Sequence, residues 1–103
     1  MSVVEVNKDN FESEVLNSTT KVLADFNADW CGPCKMLKPI IDELAEERTD
    51  LKIVSINIDD EDELSEDYNV SSIPCLVLFD QGKEVKRNVG IMSKDDIEAF
   101  IGE

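Results

Sequence analysis

The sequence predicts an α/β fold: a central mixed five-stranded sheet flanked by four helices on both faces. Three observations carry that expectation. Apolar runs of strand length alternate with segments of helical apolar spacing, in the order β-α-β-α-β-α-β-β-α. The first three strands are joined through helices, and such crossovers favour parallel pairs. The last two are joined by the tight turn Gln81-Gly82, which makes them an antiparallel hairpin.

Taken in order, Val3 to Val6 alternate with polar neighbours and read as a short strand. Asn7 stands at an expected N-cap, opening a short helix with Phe11, Val15 and Leu16 on one face. Val22-Leu23-Ala24-Asp25-Phe26 is a nearly continuous apolar run, as in a strand covered on both faces, and only Asp25 interrupts it. From about Pro33 to Glu47, residues Met36, Leu37, Ile40, Ile41, Leu44 and Ala45 recur at helical spacing, and Pro39 within them predicts a kink. Ile53 to Ile58 read as a buried strand. The five acids Asp59 to Glu63 lead into a short helical turn around Leu64 and Tyr68. They lack the glycine and distant glutamate of a calcium loop, so they read as a solvated helix start favoured by the dipole. Cys75 to Phe79 and Glu84 to Val89 form the hairpin strands. Ser93, with Asp96 three residues on, is a capping box for a last helix whose core face is Ile97, Phe100 and Ile101.

At 103 residues the chain has room for one domain, 1–103, and its 42% hydrophobic content suffices for a single core. The formal net charge of −14, with no histidine, repels phosphate backbones and anionic membrane surfaces. Nucleic acid and membrane are therefore excluded as expected partners. No stretch approaches the ~20 apolar residues of a membrane span. The start, Met1-Ser2-Val3-Val4-Glu5, has neither a basic region nor an apolar leader, which makes a reducing, cytoplasmic compartment the expectation. Three cysteines, Cys31, Cys34 and Cys75, are an odd number and argue against a disulfide framework.

The informative stretch is Trp30-Cys31-Gly32-Pro33-Cys34-Lys35, directly after a buried strand and at the start of a long helix. Two cysteines three apart at a helix start approach closely enough for a disulfide within one turn. The first meets the free backbone N–H groups and the positive dipole end, which stabilise a thiolate, and it is expected to be exposed. The second lies further into the helix and is expected to be shielded. An attacking thiol backed by a resolving thiol is what exchange through a mixed disulfide requires. An inert structural disulfide stays open but does not suit a reducing compartment, while metal and haem uses of the spacing fail on the residues present. A structural zinc site or a four-cysteine cluster wants four ligands, and the chain has three cysteines and no histidine. Covalent haem wants histidine where Lys35 stands.

Ala24-Asp25-Phe26, Trp30 to Lys35, Pro39, Asn57-Ile58-Asp59, Ile73-Pro74 and Val89-Gly90 together resemble the thioredoxin family, in order and spacing, over essentially the whole chain. The resemblance implies the thioredoxin fold and reduction of protein disulfides, with a thioredoxin reductase as the regenerating partner. It implies no bound cofactor or metal. Carried over residue by residue, it makes Cys31 the nucleophile, Cys34 the resolving thiol and Asp25 the buried carboxylate beneath them. Pro74 would be the family's cis-proline, with Ile73 offering its backbone to an extended substrate chain as an added strand would. Trp30, Gly32, Pro33, Ile73, Pro74 and Gly90 would form a shallow docking surface, although Gly90 reads equally as a plain turn glycine.

Three positions depart from the family's pattern. Asn27 stands where an aromatic is common, Ser55 where a lysine near the buried carboxylate is common, and Cys75 where threonine follows the cis-proline. Cys75 reads as a small buried hydrophobe. The expectation is a monomeric, cytoplasmic dithiol–disulfide oxidoreductase acting on disulfide-containing proteins. Gly32-Pro33 argues against an oxidase or isomerase relative. A redox-silent adaptor within a larger complex is the reading from another class, and it predicts no catalysed turnover.

Overall fold

The computed structural model describes residues 3–102. Met1 and Ser2, which belong to the segment read for a leader, and Glu103 lie outside the described residues. The strands are β1 (Val4–Glu5), β2 (Val22–Asn27), β3 (Lys52–Asn57), β4 (Cys75–Asp80) and β5 (Lys83–Val89). A π-helical segment, Glu12–Leu16, precedes β2. The helices α1 (Gly32–Glu47), α2 (Asp62–Asp67) and α3 (Lys94–Ile101) follow.

The sheet order is β1-β3-β2-β4-β5. Both β1 and β2 run parallel to β3, as helical crossovers require, while β2–β4 and β4–β5 are antiparallel. Chain direction therefore splits around β2: the chain leaves β2 for β3 on one side and has β4 on the other. Crevices at the carboxyl ends of strands beside such a split are where α/β sheets place their sites. Side chains alternate across the sheet and build two cores. Ala24, Phe26, Val54, Ile56, Val77 and Phe79 pack with Phe11, Val15 and Leu64, on the side of the π-helical segment and α2. Leu23, Ile53, Leu76 and Leu78 pack with Leu37, Ile41, Leu44, Ile97 and Ile101, on the side of α1 and α3. The β4–β5 hairpin closes with Gln81 at φ 56° and Gly82 at φ 78°, and a Cβ on Gly82 would lie 2.7 Å from the Leu16 carbonyl oxygen.

Several local expectations are corrected. Asn7 does not cap the first helical segment. Its Oδ1 accepts from the amides of Asp9 and Asn10 and holds a separate turn, because an Asx side chain bonds most readily two or three residues ahead. The segment itself closes through the Asn17 amide to the Glu12 carbonyl, one residue wider than an α-turn. Met36 is exposed, so the α1 core face is narrower than its apolar count suggested. As expected, Pro39 lies inside α1, which runs sixteen residues through it, and its absent N–H cannot bond the Lys35 carbonyl. Ser93 Oγ accepts from the Asp96 amide as an N-cap, 3.1 Å, and Asp96 makes no return bond to the Ser93 amide.

Candidate active site

The site forms where β2 ends and α1 begins. Ala28 turns the chain out of the sheet, the Cys31 amide donates to the Ala28 carbonyl, and Cys31 becomes the N-cap of α1 in an extended conformation. Its Sγ accepts a hydrogen bond from the Cys34 amide at 3.1 Å, taking the place of the hydroxyl or carboxylate oxygen usual at that position. Pro33, in the first turn, gives up no helical bond. Cys31 and Cys34 are joined as a disulfide with Cα atoms 5.2 Å apart. The expected exposure of Cys31 does not hold in this state. Cys31 is 4% exposed and Cys34 6%, because both sulfurs pack among Ala28, Ile58 and Ile73. The two thiols are told apart by direction. Cys34 lines a cavity of about 450 Å³ together with Asp25, and Cys31 does not.

That cavity lies between β1, β2, β3 and α1, lined by Glu5, Asp25, Asn27, Asp29, Lys38, Asp42 and Ser55 among others. Asp25 is buried, and its Oδ1 has no hydrogen-bond partner among the described residues. Burial pushes its carboxyl up to about 7; the charges of Glu5 and Asp42 add to the rise, and Lys38 opposes it. The sequence reading found Asp25 as an acid in an apolar strand but missed Glu5, Lys38 and Asp42. The last two were legible: Cys34, Lys38 and Asp42 succeed one another at i, i+4 and i+8, which puts them on one helix face. Lys38 Nζ and Asp42 Oδ2 meet at 3.0 Å.

On the opposite side of the disulfide, Ile73-Pro74 is a cis peptide. Because Cys75 pairs with Phe26 across β4 and β2, Pro74 lies at the carboxyl end of β2, and Ile73 packs against the cysteines. The Gly90 amide donates to the Pro74 carbonyl at 2.8 Å, and φ of 104° at Gly90 favours glycine whatever else the residue does. Trp30 is 67% exposed, its indole N–H donating to Asp59 at 2.8 Å. Gly32 and Pro33 are exposed beside it. The structure thus brings all the predicted site residues around one disulfide. Cys75 is fully buried, and burial raises its thiol pKa although Arg87 of the neighbouring strand opposes the rise.

The family model described as Thioredoxin matches residues 2–103. The chain belongs to the thioredoxin family. A thioredoxin from Chlamydia caviae is 47% identical over 98 residues, covering 95% of this chain and 94% of that protein. One from Acidithiobacillus ferridurans is 43% identical over 101 residues, covering 97% and 94%. One from Pyropia yezoensis is 40% identical over 102 residues, covering 98% and 95%. Thioredoxins are protein-disulfide oxidoreductases, and this chain carries the Cys31–Cys34 disulfide, a pair of the redox-active CxxC kind, at the N-terminus of α1. Among the described residues no helix is long and apolar enough to cross a membrane, and no three His, Cys, Asp or Glu side chains are grouped to hold a metal ion.

Proposed function

We propose that residues 1–103 act as a single-domain, monomeric carrier of reducing equivalents in the cytoplasm, with Cys31 as the attacking thiol. In the reduced protein, the Cys31 thiolate is held by the Cys34 amide and the α1 dipole. It attacks one sulfur of a substrate disulfide; the other substrate sulfur leaves as a thiolate and takes up a proton. The Cys34 thiol gives its proton to Asp25 through their shared cavity, and its sulfur attacks Cys31 Sγ. The Cys31–Cys34 bond forms, the second substrate sulfur leaves as a thiolate and is protonated, and Asp25 releases the proton it took. Two electrons and two protons have passed to the substrate. A thioredoxin reductase returns them. Trp30, Gly32, Pro33, Ile73, Pro74 and Gly90 receive the substrate chain around the buried sulfurs.

The observation that carries this division of labour is the one-sided cavity: it reaches Cys34 and Asp25 and leaves Cys31 out. Reduction of insulin by dithiothreitol tests it. The wild type should accelerate turnover, Cys31→Ser should abolish it, and Cys34→Ser should accumulate a mixed disulfide on Cys31. No catalysed turnover by the wild type would point to the adaptor reading. A mixed disulfide trapped on Cys34 in Cys31→Ser, with none on Cys31 in Cys34→Ser, would reverse the two roles.

A further inference from the structure

Asn27 and Ser55, two positions that depart from the family's pattern, are hydrogen-bonded to each other. Asn27 Nδ2 lies 2.9 Å from Ser55 Oγ and 2.9 Å from the Asp25 carbonyl oxygen. A carbonyl oxygen can only accept, so the Asn27 atom facing it is the amide nitrogen. The second hydrogen on that nitrogen goes to Ser55 Oγ. Ser55 is therefore an acceptor in this contact, and its single hydroxyl hydrogen is directed elsewhere. No acceptor for it occurs among the described residues. Asp25 and Ser55 are register partners across the parallel β2–β3 pair, so their side chains share one face of the sheet, and both line the same cavity. On that face stands Asp25 Oδ1, buried and without a donor among the described residues.

We propose that Asn27 is a positioning residue which, by occupying the acceptor side of Ser55 Oγ, turns the Ser55 hydroxyl hydrogen toward the Asp25 carboxylate, the bond being completed by solvent in the cavity. The pair supplies by dipole what a strand lysine supplies by charge. The cavity is polar-lined and roomy enough for several waters, each needing about 30 Å³. The charged and titratable groups around Asp25 are Glu5 from β1, Asp29 from the turn after β2, and Cys34, Lys35, Lys38 and Asp42 from α1. Toward Asp25, β3 presents the neutral Ser55, and its β4 register partner is the apolar Leu76. The inference rests on Asp25 receiving the Cys34 proton, but its test does not require turnover.

The test is the titration of the Asp25 carboxyl carbon by NMR in the disulfide form of the full chain, with the neighbouring acids followed in the same spectra. Ser55→Ala should raise the Asp25 midpoint by about one pH unit, the scale of one hydrogen bond to a charged group. Ser55→Thr, which keeps the hydroxyl, should restore it. Asn27→Leu should raise the midpoint in the same direction, and Ser55→Ala with Asn27→Leu should go no further than Ser55→Ala alone. An unchanged midpoint in Ser55→Ala, or additive shifts in the double variant, would overturn the proposal. Should Asn27→Leu fail to fold, the comparison of Ser55→Ala with Ser55→Thr still decides whether the hydroxyl acts on Asp25. An insulin assay that fails while these shifts appear would sink the proton-transfer role and leave the pair intact.

Discussion

Replacing Asp25 by asparagine should make the protein more stable, and by an amount that depends on pH. Asparagine keeps the size and shape of the protonated acid and carries no charge, so the comparison reads ionisation. The carboxyl ionises at an ordinary 3.8 in an unfolded chain and at about 7 in the folded one. Its folded-state value is raised, so its contribution to stability is fully present below pH 3.8 and is lost as pH climbs through about 7. At 1.36 kcal/mol per unit, the whole penalty is about 4 kcal/mol at pH 8, about 3 kcal/mol at pH 6 and under about 1 kcal/mol at pH 4. For a domain of this size, 4 kcal/mol is on the order of 15 °C in melting temperature. Guanidinium unfolding of the disulfide form of both proteins at pH 4, 6 and 8 reads the difference directly. Insulin reduction should slow in the same variant, since the proton acceptor is gone. A stability gain that is the same at all three pH values, or no gain at pH 8, would refute the reasoning.

Three further outcomes are expected. In the reduced protein iodoacetamide should modify Cys31 well before Cys34 near neutral pH, because Cys31 alone takes the Cys34 amide at the helix N-cap; peptide mapping reads the order, and equal labelling would contradict it. Cys75→Thr should keep reductase activity within a few-fold, and mild peroxide should close Cys31–Cys34 with Cys75 still free by mass spectrometry. A Cys75-linked dimer or glutathione adduct appearing first would make that thiol regulatory. Gly82→Ala should lose about 2 kcal/mol or more in chemical unfolding, since it adds a side chain at φ 78° and pushes a Cβ against the Leu16 carbonyl; an unchanged midpoint would mean the hairpin adjusts without strain.

Much of the fold was legible because the signals were periodic. Continuous apolar runs marked β2 and β4, the spacing from Leu37 to Ala45 marked α1, and Gln81-Gly82 marked the hairpin. Boundaries and caps were less so. Asn7 had the chemistry of a helix cap but found nearer amides, and the wider π-helical turn leaves no mark in residue type. The site divided the same way. Cys31, Cys34 and Asp25 announced themselves by residue type in an unusual setting. The burial of Cys31 was invisible, because it depends on Ile73, forty-two positions away, packing over the sulfurs. The Asn27–Ser55 bond was equally hidden, since only the register of two parallel strands brings those residues together.

The disulfide joins residues only three apart at the mouth of a sixteen-residue helix. A cross-link removes entropy from the unfolded chain in proportion to the logarithm of the loop it closes, and for so small a ring that amounts to about 2 kcal/mol, against almost 5 kcal/mol for a loop of a hundred residues. Opening the bond therefore releases little chain, and the two sheet-side cores, built from other residues, are left standing. Electron content and folded shape are nearly independent variables in such a molecule. It can be charged and discharged repeatedly while presenting the same surface to donor and acceptor, so that the direction of flow is set by the relative potentials of those two and not by a change in the carrier's form.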